Sequence, residues 1–365
     1  MDAFTLSERL LPLVWPLLLS ALFLHVIPDL MRPGLFFGRT VDPAFRNSDA
    51  ARAIRRRYTL AAWAATLIAL SLAAAAGMGA AGAFAAPPAL TSIATSAPLR
   101  SVPWLLQYAM TLCAFVWAHR AARPHALPPT SVVTAGLSAP REAPSALIVG
   151  ALIVPIVSLG VLELWIAFHW HALPPQLPVH WGFDRPDRLV ATSLRSVTVL
   201  LLLKALVCWL LALVAWGVYR GSRRVAASGE AARRERRFRT QVLTALIVAE
   251  YFIVFPTWAA FLALPPRFMT LWQLLFPAVI LIIAARLLLS GQGGSRGLGR
   301  SNAGAIGDRT DDRHWVLGLL YFNRADPAFV VEKRFGIGYS FNFGHPLAWA
   351  LLAVAVAIPL LSRLM

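Results

Sequence analysis

The residues LPPQLPVHWGFDRPDRL, at 173–189, set several chemistry-bearing side chains between two long apolar runs. Pro174, Pro175 and Pro178 forbid helix and set a stiff, extended entry. His180 and Trp181 follow, then Gly182, which allows a tight turn, and then Asp184, Arg185, Asp187 and Arg188. The two aspartates can cap backbone groups of the turn, and each carries an adjacent arginine that cancels its charge. A loop of this kind is built rather than disordered. Trp170 and Trp181 suit the interface belt, His180 reads as a solvated or interfacial histidine, and His180, Trp181, Asp184 and Asp187 are the candidate ligand-binding residues should the loop serve recognition. His169, His171, His180 and Asp184 also invite a metal reading, because two histidines at i and i+2 can coordinate from an extended segment. The prolines argue against a preformed cage and no His-Glu-x-x-His arrangement is present, so no metal is assigned.

A second group of candidates lies inside apolar stretches. An ionisable side chain in a transmembrane helix is costly and is a functional candidate by default. Glu250 lies about ten residues from one end of its stretch and Lys204 about ten from the opposite end of its own, which places both at ~15 Å depth in a ~30 Å core. The two could pair. Glu163 is nearer the outer surface. These three buried charges could form a proton or ion relay, or a structural ion pair locking helices; Lys204 could also snorkel. His25 and Asp29 sit near the inner end of the first stretch. No paired aspartates, no serine with a histidine in neighbouring spans and no zinc motif point to catalysis, so no catalytic residue is assigned and no enzyme is expected. The glycines of GQGGSRGLGRSNAG, 291–304, lack the Lys-Ser/Thr ending of a phosphate-binding loop and read as a flexible linker. No cofactor is expected.

The elements that must hold these groups follow from composition. Of 365 residues 58% are hydrophobic and 14% charged, far too apolar for a soluble chain of this size. Apolar blocks fall at about 10–30, 59–82, 102–118, 146–168, 194–219, 241–264, 268–289 and 346–363. Most have the length that crosses a hydrocarbon core as helix. Helices satisfy their own backbone hydrogen bonds in lipid. The fold expected is therefore an all-α integral membrane bundle of about eight transmembrane helices. Pro155, Pro256 and Pro277 could kink three of them.

The net charge of +17 at first suggests nucleic acid, but its placement does not. Of 34 Lys and Arg, 26 fall in the segments 31–58, 119–145, 220–240 and 286–345, which alternate with poorly basic ones across all eight spans. That is the positive-inside pattern with both termini outside. The basic excess then reports topology and contact with anionic head groups of the bilayer, and no nucleic-acid partner is expected. Arg outnumbers Lys 32 to 2, which hints at a high-GC bacterial genome and so at the inner membrane. The first apolar block lacks a basic leader and reads as a retained helix. Cys113 and Cys208, both within spans, read as small buried apolar residues.

Five regions result: an N-terminal four-helix half, 1–168; an extracytoplasmic signature loop, 169–193; three further spans with a basic cytoplasmic loop at 220–240, 194–289; a cytoplasmic linker and β-ribbon, 290–345; and a last span, 346–365. The ribbon is read from strict alternation, with Phe335, Ile337, Tyr339, Phe341 and Phe343 on one face and Gly336, Gly338, Ser340, Asn342 and Gly344 on the other. A second strand at about 315–322 precedes it, with a turn at 323–327. Lys333 and Arg334 would reach phosphates. The stretches DAARAIRRRYT, 49–59, and EAARRERRFRT, 230–240, match at six of eleven positions at an offset of 181 residues. They suggest two four-span halves inserted in the same orientation. Asn47 or Ser48 can cap the first of these helices.

The loop at 173–189, set between two spans, resembles the signature of bacterial membrane proteins related to the sporulation-delaying-toxin immunity proteins. Pro178, His180, Asp184 and Asp187 are the matching positions. Leu189 stands where that pattern usually has Trp, and the spacing around Gly182 is shifted. Asp311 to Pro346 looks like a second, uncharacterised domain found at the C-terminal end of some of these proteins, and PGLFFGRTVDPAFR, 33–46, is similar to a stretch of the same larger membrane proteins. The resemblance implies a polytopic membrane protein, the immunity activity belonging to smaller relatives. The first functional expectation is recognition of a toxin, peptide or envelope component through the outer loop. A secondary transporter using Glu250 and Lys204 is the alternative, and a structural scaffold without catalysis is the third.

Overall fold

A computed structural model describes residues 3–32, 34–80, 87–89, 101–127, 145–181, 186–221, 230–296 and 310–364. Long helices occupy the eight apolar blocks: α1 (Ala3–Leu30), α2 (Asp49–Ala80), α3 (Val102–Ala121), α4 (Ala146–Phe168), α5 (Leu194–Gly221), α6 (Glu230–Phe261), α7 (Pro266–Ser290) and α8 (Pro346–Leu361). Five of them, α2, α4, α5, α6 and α7, are long and apolar enough to cross a membrane. Two further apolar stretches, Val14–Leu30 and Pro346–Leu361, are shorter. Helix α3 carries Gln107, His119 and Arg120, which dilute its hydropathy.

Short strands interrupt the helices: β1 (Leu35–Phe36), β2 (Arg39–Thr40), β3 (Gln176–Trp181), β4 (Pro186–Ala191), β5 (Trp315–Val316), β6 (Leu320–Tyr321), β7 (Val330–Glu332) and β8 (Tyr339–Phe341). The chain forms two compact units, one of 1–132, 299–319 and 334–337, the other of 133–298, 320–333 and 338–365. This division differs from the expected four-and-four halves, since α4 packs with α5 and α6 in the second unit. Both basic entry sequences do open helices of 32 residues, α2 and α6. Ser48 rather than Asn47 caps α2, its hydroxyl accepting from the Ala51 N–H at 3.2 Å.

In the first unit α2 presents Ala62, Ala65, Ala69, Ala73 and Ala76, each at most 3% exposed, along one face. Alanines at this spacing let helix backbones approach closely, the contact that associates helices where no hydrophobic effect operates. A polar crosslink lies within the same helix trio. Gln107 of α3, fully buried, donates to the Leu17 carbonyl of α1 at 3.0 Å and to the Thr66 hydroxyl of α2 at 2.9 Å, and accepts from Ser20 at 2.7 Å. The end of α1 is closed by Arg46, whose guanidinium donates to the carbonyls of Pro28, Met31 and Arg32 at 2.9–3.0 Å. Those carbonyls have no partner within the helix, and a cation there also complements the helix dipole. Asp29 pairs with Arg55 at 2.6 Å, and Tyr58 donates to the Leu24 carbonyl at 3.2 Å.

Phe36, Phe37, Phe45, Tyr58, Phe115 and Phe335 form an aromatic cluster at the base of these helices, with edge-to-face and stacked contacts of 4.4–6.4 Å between centroids. Beside it Gly38 and Gly318 cross so closely that a Cβ on either would lie 2.6 or 2.7 Å from the other's Cα.

In the second unit α5, α6 and α8 receive Phe329 and Val330. Gly217 leaves the space that the Phe329 ring and Val330 fill, and Trp216 stacks on that ring at 5.5 Å. Helices α6 and α7 meet through Phe252, Trp272 and Phe276.

The expected ribbon is broken into pieces. Leu317 and Gly318 take positive φ of 52° and 71° and divide the first strand into β5 and β6. Gly336 and Gly338, at φ 90° and 100°, end the long alternation, so that only Tyr339–Phe341 pairs as a strand, with β7. The first part of the expected linker is also structured: Gln292–Gly294 is a buried turn, and the Gln292 amide both accepts from the Gly338 N–H at 2.7 Å and donates to its carbonyl at 2.9 Å. Residues 297–304 of that linker lie outside the described residues.

Gln107→Leu removes the crosslink and leaves the Thr66 hydroxyl and Leu17 carbonyl one partner fewer. The expected loss is about 1–2 kcal/mol of stability, measured as a lower thermal midpoint of the purified chain in detergent, with Thr111→Val as the milder control.

Candidate functional site

The signature loop is an antiparallel hairpin, β3 with β4. Gln176 pairs with Ala191, Leu177 with Val190, Pro178 with Leu189, His180 with Arg188 and Trp181 with Pro186. This register leaves Val179 and Asp187 as extra residues on their strands. A bulge re-aims side chains, and here it sets Asp187 beside His180: the imidazole Nδ1 lies 2.6 Å from the carboxylate. Both side chains are well exposed, at 69% and 52%, so the contact adds little stability. Its effect is orientation. A carboxylate on Nδ1 fixes the ring and leaves Nε2 for another partner.

The hairpin is rooted, which makes that orientation useful. Leu177 is buried with Leu162 and Ile166 of α4, Val197, Leu200 and Leu201 of α5, and Phe261 of α6, while Val179, Trp165 and Trp170 pack around them. Thr192 closes the base, its N–H donating to the Pro175 carbonyl at 2.9 Å and its hydroxyl to that of Pro174. Ser193 and Ser196 exchange hydrogen bonds at the start of α5, each accepting from the other's backbone N–H at 3.1 and 3.0 Å. Trp181 is half-buried, and its indole N–H makes no hydrogen bond to the described residues. Asp184 falls in 182–185, outside the described residues, so only three of the four expected ligand-binding residues are placed. Of the histidines weighed for metal, His169 stacks on Trp165 at 4.6 Å and bonds its carbonyl, and His171 lies in a short 3-10 turn.

The three charges expected to be buried separate into different environments. Glu163 is exposed on the surface of α4, within the apolar stretch Ala146–Phe168. Lys204 is half-buried on α5. Glu250 on α6 is fully buried, and neither carboxylate oxygen has a hydrogen-bond partner among the described residues. The direct Lys204–Glu250 pair does not form; Cys208, one turn from Lys204, packs against Val254, one turn from Glu250. Cys208 is buried as expected, whereas Cys113 is exposed on α3.

Arg334 also departs from expectation. Instead of reaching phosphates it is 1% exposed, ion-paired with Asp312, bonded to the Thr310 and Gly38 carbonyls and set over the Trp315 ring at 5.2 Å. Thr40 donates its hydroxyl to the same Asp312 at 2.6 Å. A guanidinium of fixed planar shape suits such a multiply bonded site. Lys333 stays exposed. In the second unit Asn342, fully buried, donates to the carbonyls of Asn323, Asp326 and Ala328 at 2.8–3.1 Å and accepts from the N–H groups of Asn323 and Gly344 at 3.0 Å. One side chain thus organises the loop from 323 to 344.

These buried anchors escape a reading that looks only for chemistry, yet a repeat marks part of them. GLFFGRTVDPAF, 34–45, and GLLYFNRADPAF, 318–329, share six of twelve positions. The shared DPAF ends behave alike. Asp42 accepts from the Ala44 N–H at 2.7 Å and Asp326 from the Ala328 N–H at 3.0 Å, and Phe45 and Phe329 each pack into the hydrophobic core of their own unit.

The fold is mostly helical, with five helices long and apolar enough to cross a membrane and small two-stranded hairpins. Residues 324–349 match a family of unknown function (DUF5808), a stretch that contains Arg334, Asn342 and the start of α8. No curated protein matches the chain, and no solved structure does.

Arg334→Met leaves Asp312 with its charge and without its main partner. A loss of about 3–5 kcal/mol is expected, read as a large fall in thermal midpoint. Arg334→Lys should recover only part of it, because one ammonium cannot span Asp312 and two carbonyls.

Proposed function

We propose that this chain is a multi-pass protein of a bacterial inner membrane that recognises a toxin, peptide or envelope component through the β3–β4 hairpin. In this reading all eight apolar helices are spans, the hairpin and both termini face outward, and the basic segments face the cytoplasm. The observation that carries it is the His180–Asp187 contact, a pre-oriented imidazole on an exposed hairpin that is rooted in three helices. Recognition gains when the binding groups are ordered beforehand, since less freedom is lost on association.

The chemistry of the hairpin suits an extended polypeptide. Among the described residues β4 pairs only with β3, so its outer edge offers backbone donors and acceptors to a strand added alongside. The His180 ring, Asp187 and Arg188 supply polar contacts, and the half-exposed Leu189 an apolar one. The likeness of Pro178, His180 and Asp187 to the immunity-protein signature supports a peptide toxin as the ligand class.

The test is survival of cells with and without the protein, challenged with membrane-active peptides and supernatants of neighbouring strains. The expected result is protection that falls at least tenfold in His180→Ala and several-fold in Asp187→Asn, at equal membrane abundance. Equal survival of all strains across the panel would remove the recognition reading.

A further inference from the structure

Glu250 has no part in the hairpin reading, and its surroundings are unusual. It lies at the twenty-first position of a 32-residue helix whose segment Arg233–Phe261 is long and apolar enough to span a membrane. The side chain has no exposed surface, and both of its oxygens lack hydrogen-bond partners among the described residues. A structural carboxylate in such a place would be expected to hold an arginine, a lysine or backbone N–H groups, as Asp312 holds Arg334 elsewhere in this chain. Among the described residues Glu250 holds none of these.

The neighbouring groups are few. From α5, Lys204 and Cys208 lie one turn apart, and Cys208 is buried in one cluster with Leu159 of α4 and Val254 of α6, one turn from Glu250. Helix α4 carries one titratable group, Glu163, which is exposed. Helix α7 carries Arg267 and Arg286 toward its two ends. On α6 itself Glu235 and Arg239 pair with each other near the start. Lys204 is therefore the only cation of the neighbouring mid-helix segments, held off from direct contact.

We propose that Glu250 is a proton-binding site within the membrane-spanning bundle, a carboxyl that takes up and releases one proton, with the ammonium of Lys204 balancing the ionised form. Lys204 is long and half-buried, so it can swing toward the carboxylate when the proton leaves and back when it returns. A site of this kind gives the protein a way to couple proton occupancy to helix packing, independently of what the hairpin binds.

The test uses the full chain in liposomes and dicyclohexylcarbodiimide, an apolar reagent that reaches carboxyls in lipid. The acid proton passes to a carbodiimide nitrogen, the carboxyl oxygen bonds to the central carbon, and an acyl shift to nitrogen leaves a stable N-acylurea. Mass spectrometry of the digested chain should find this adduct at Glu250, with a rate that falls more than tenfold across one pH transition. Infrared difference spectra should show a protonated-carboxyl band titrating over the same range. Glu250→Gln should lose both signals. Lys204→Met, which keeps the carboxyl, should extend the reaction to higher pH and serves if the glutamine variant does not fold. No adduct at Glu250, a carboxyl band that does not titrate, or a transition unmoved in Lys204→Met would overturn the proposal.

Discussion

Hydrocarbon offers no hydrogen bonds, and that shortage decides where this chain can place polar atoms. Within the helices the backbone answers for itself. At helix ends and in the connecting segments it cannot, and side chains take over. Arg46 closes the end of α1, Ser48 opens α2, Gln107 serves two other helices, and Asn342 serves a whole loop. Arg46, Ser48 and Asn342 bond backbone at helix ends and in loops, while Gln107 adds a partner to a carbonyl within α1. Glu250 stands apart: among the described residues neither of its buried carboxylate oxygens has a hydrogen-bond partner.

The same shortage explains the division between packing and recognition. Alanines on α2 and the glycine at 217 let backbone and aromatic rings approach, so cohesion comes from contact rather than from expelling water. The hairpin β3–β4 is built by other rules. Its apolar side roots among helix ends, while its polar side keeps His180 and Asp187 exposed. A polar pair that contributes little to stability is free to serve another purpose.

The helices were largely legible in the sequence, because length and continuous hydropathy are strong signals that need no tertiary context. All eight expected blocks lie on helices, although five carry the length and composition of a span. The hairpin was legible as a stiff extended element from its prolines, and the bulge that joins His180 to Asp187 was not, since register depends on partners seven residues apart. Alternation misled at 335–344: period two is a strand signal only if every residue can stay extended, and Gly336 and Gly338 do not. Arg334 misled for a related reason. A charge beside another charge reads as surface, and its burial depends on Asp312, Thr310 and Gly38, which sequence distance hides. Depth alone placed Lys204 and Glu250 level with each other, but it does not say which way each side chain faces, and the two do not pair: Cys208 and Val254 are the residues of these helices that share a buried cluster.

The crossing of Gly38 and Gly318 has a consequence for how this chain can change. Most tight contacts can be relieved in two ways, by shrinking one side chain to admit a larger neighbour or the reverse. Here neither partner has a side chain to give up, both hold positive φ, and backbone meets backbone. The two positions, 280 residues apart in sequence, are therefore bound to the same residue type with no compensating exchange open to them. Lineages could drift freely in the apolar helices around this point while the pair itself stays fixed, a hinge pin in sequence space.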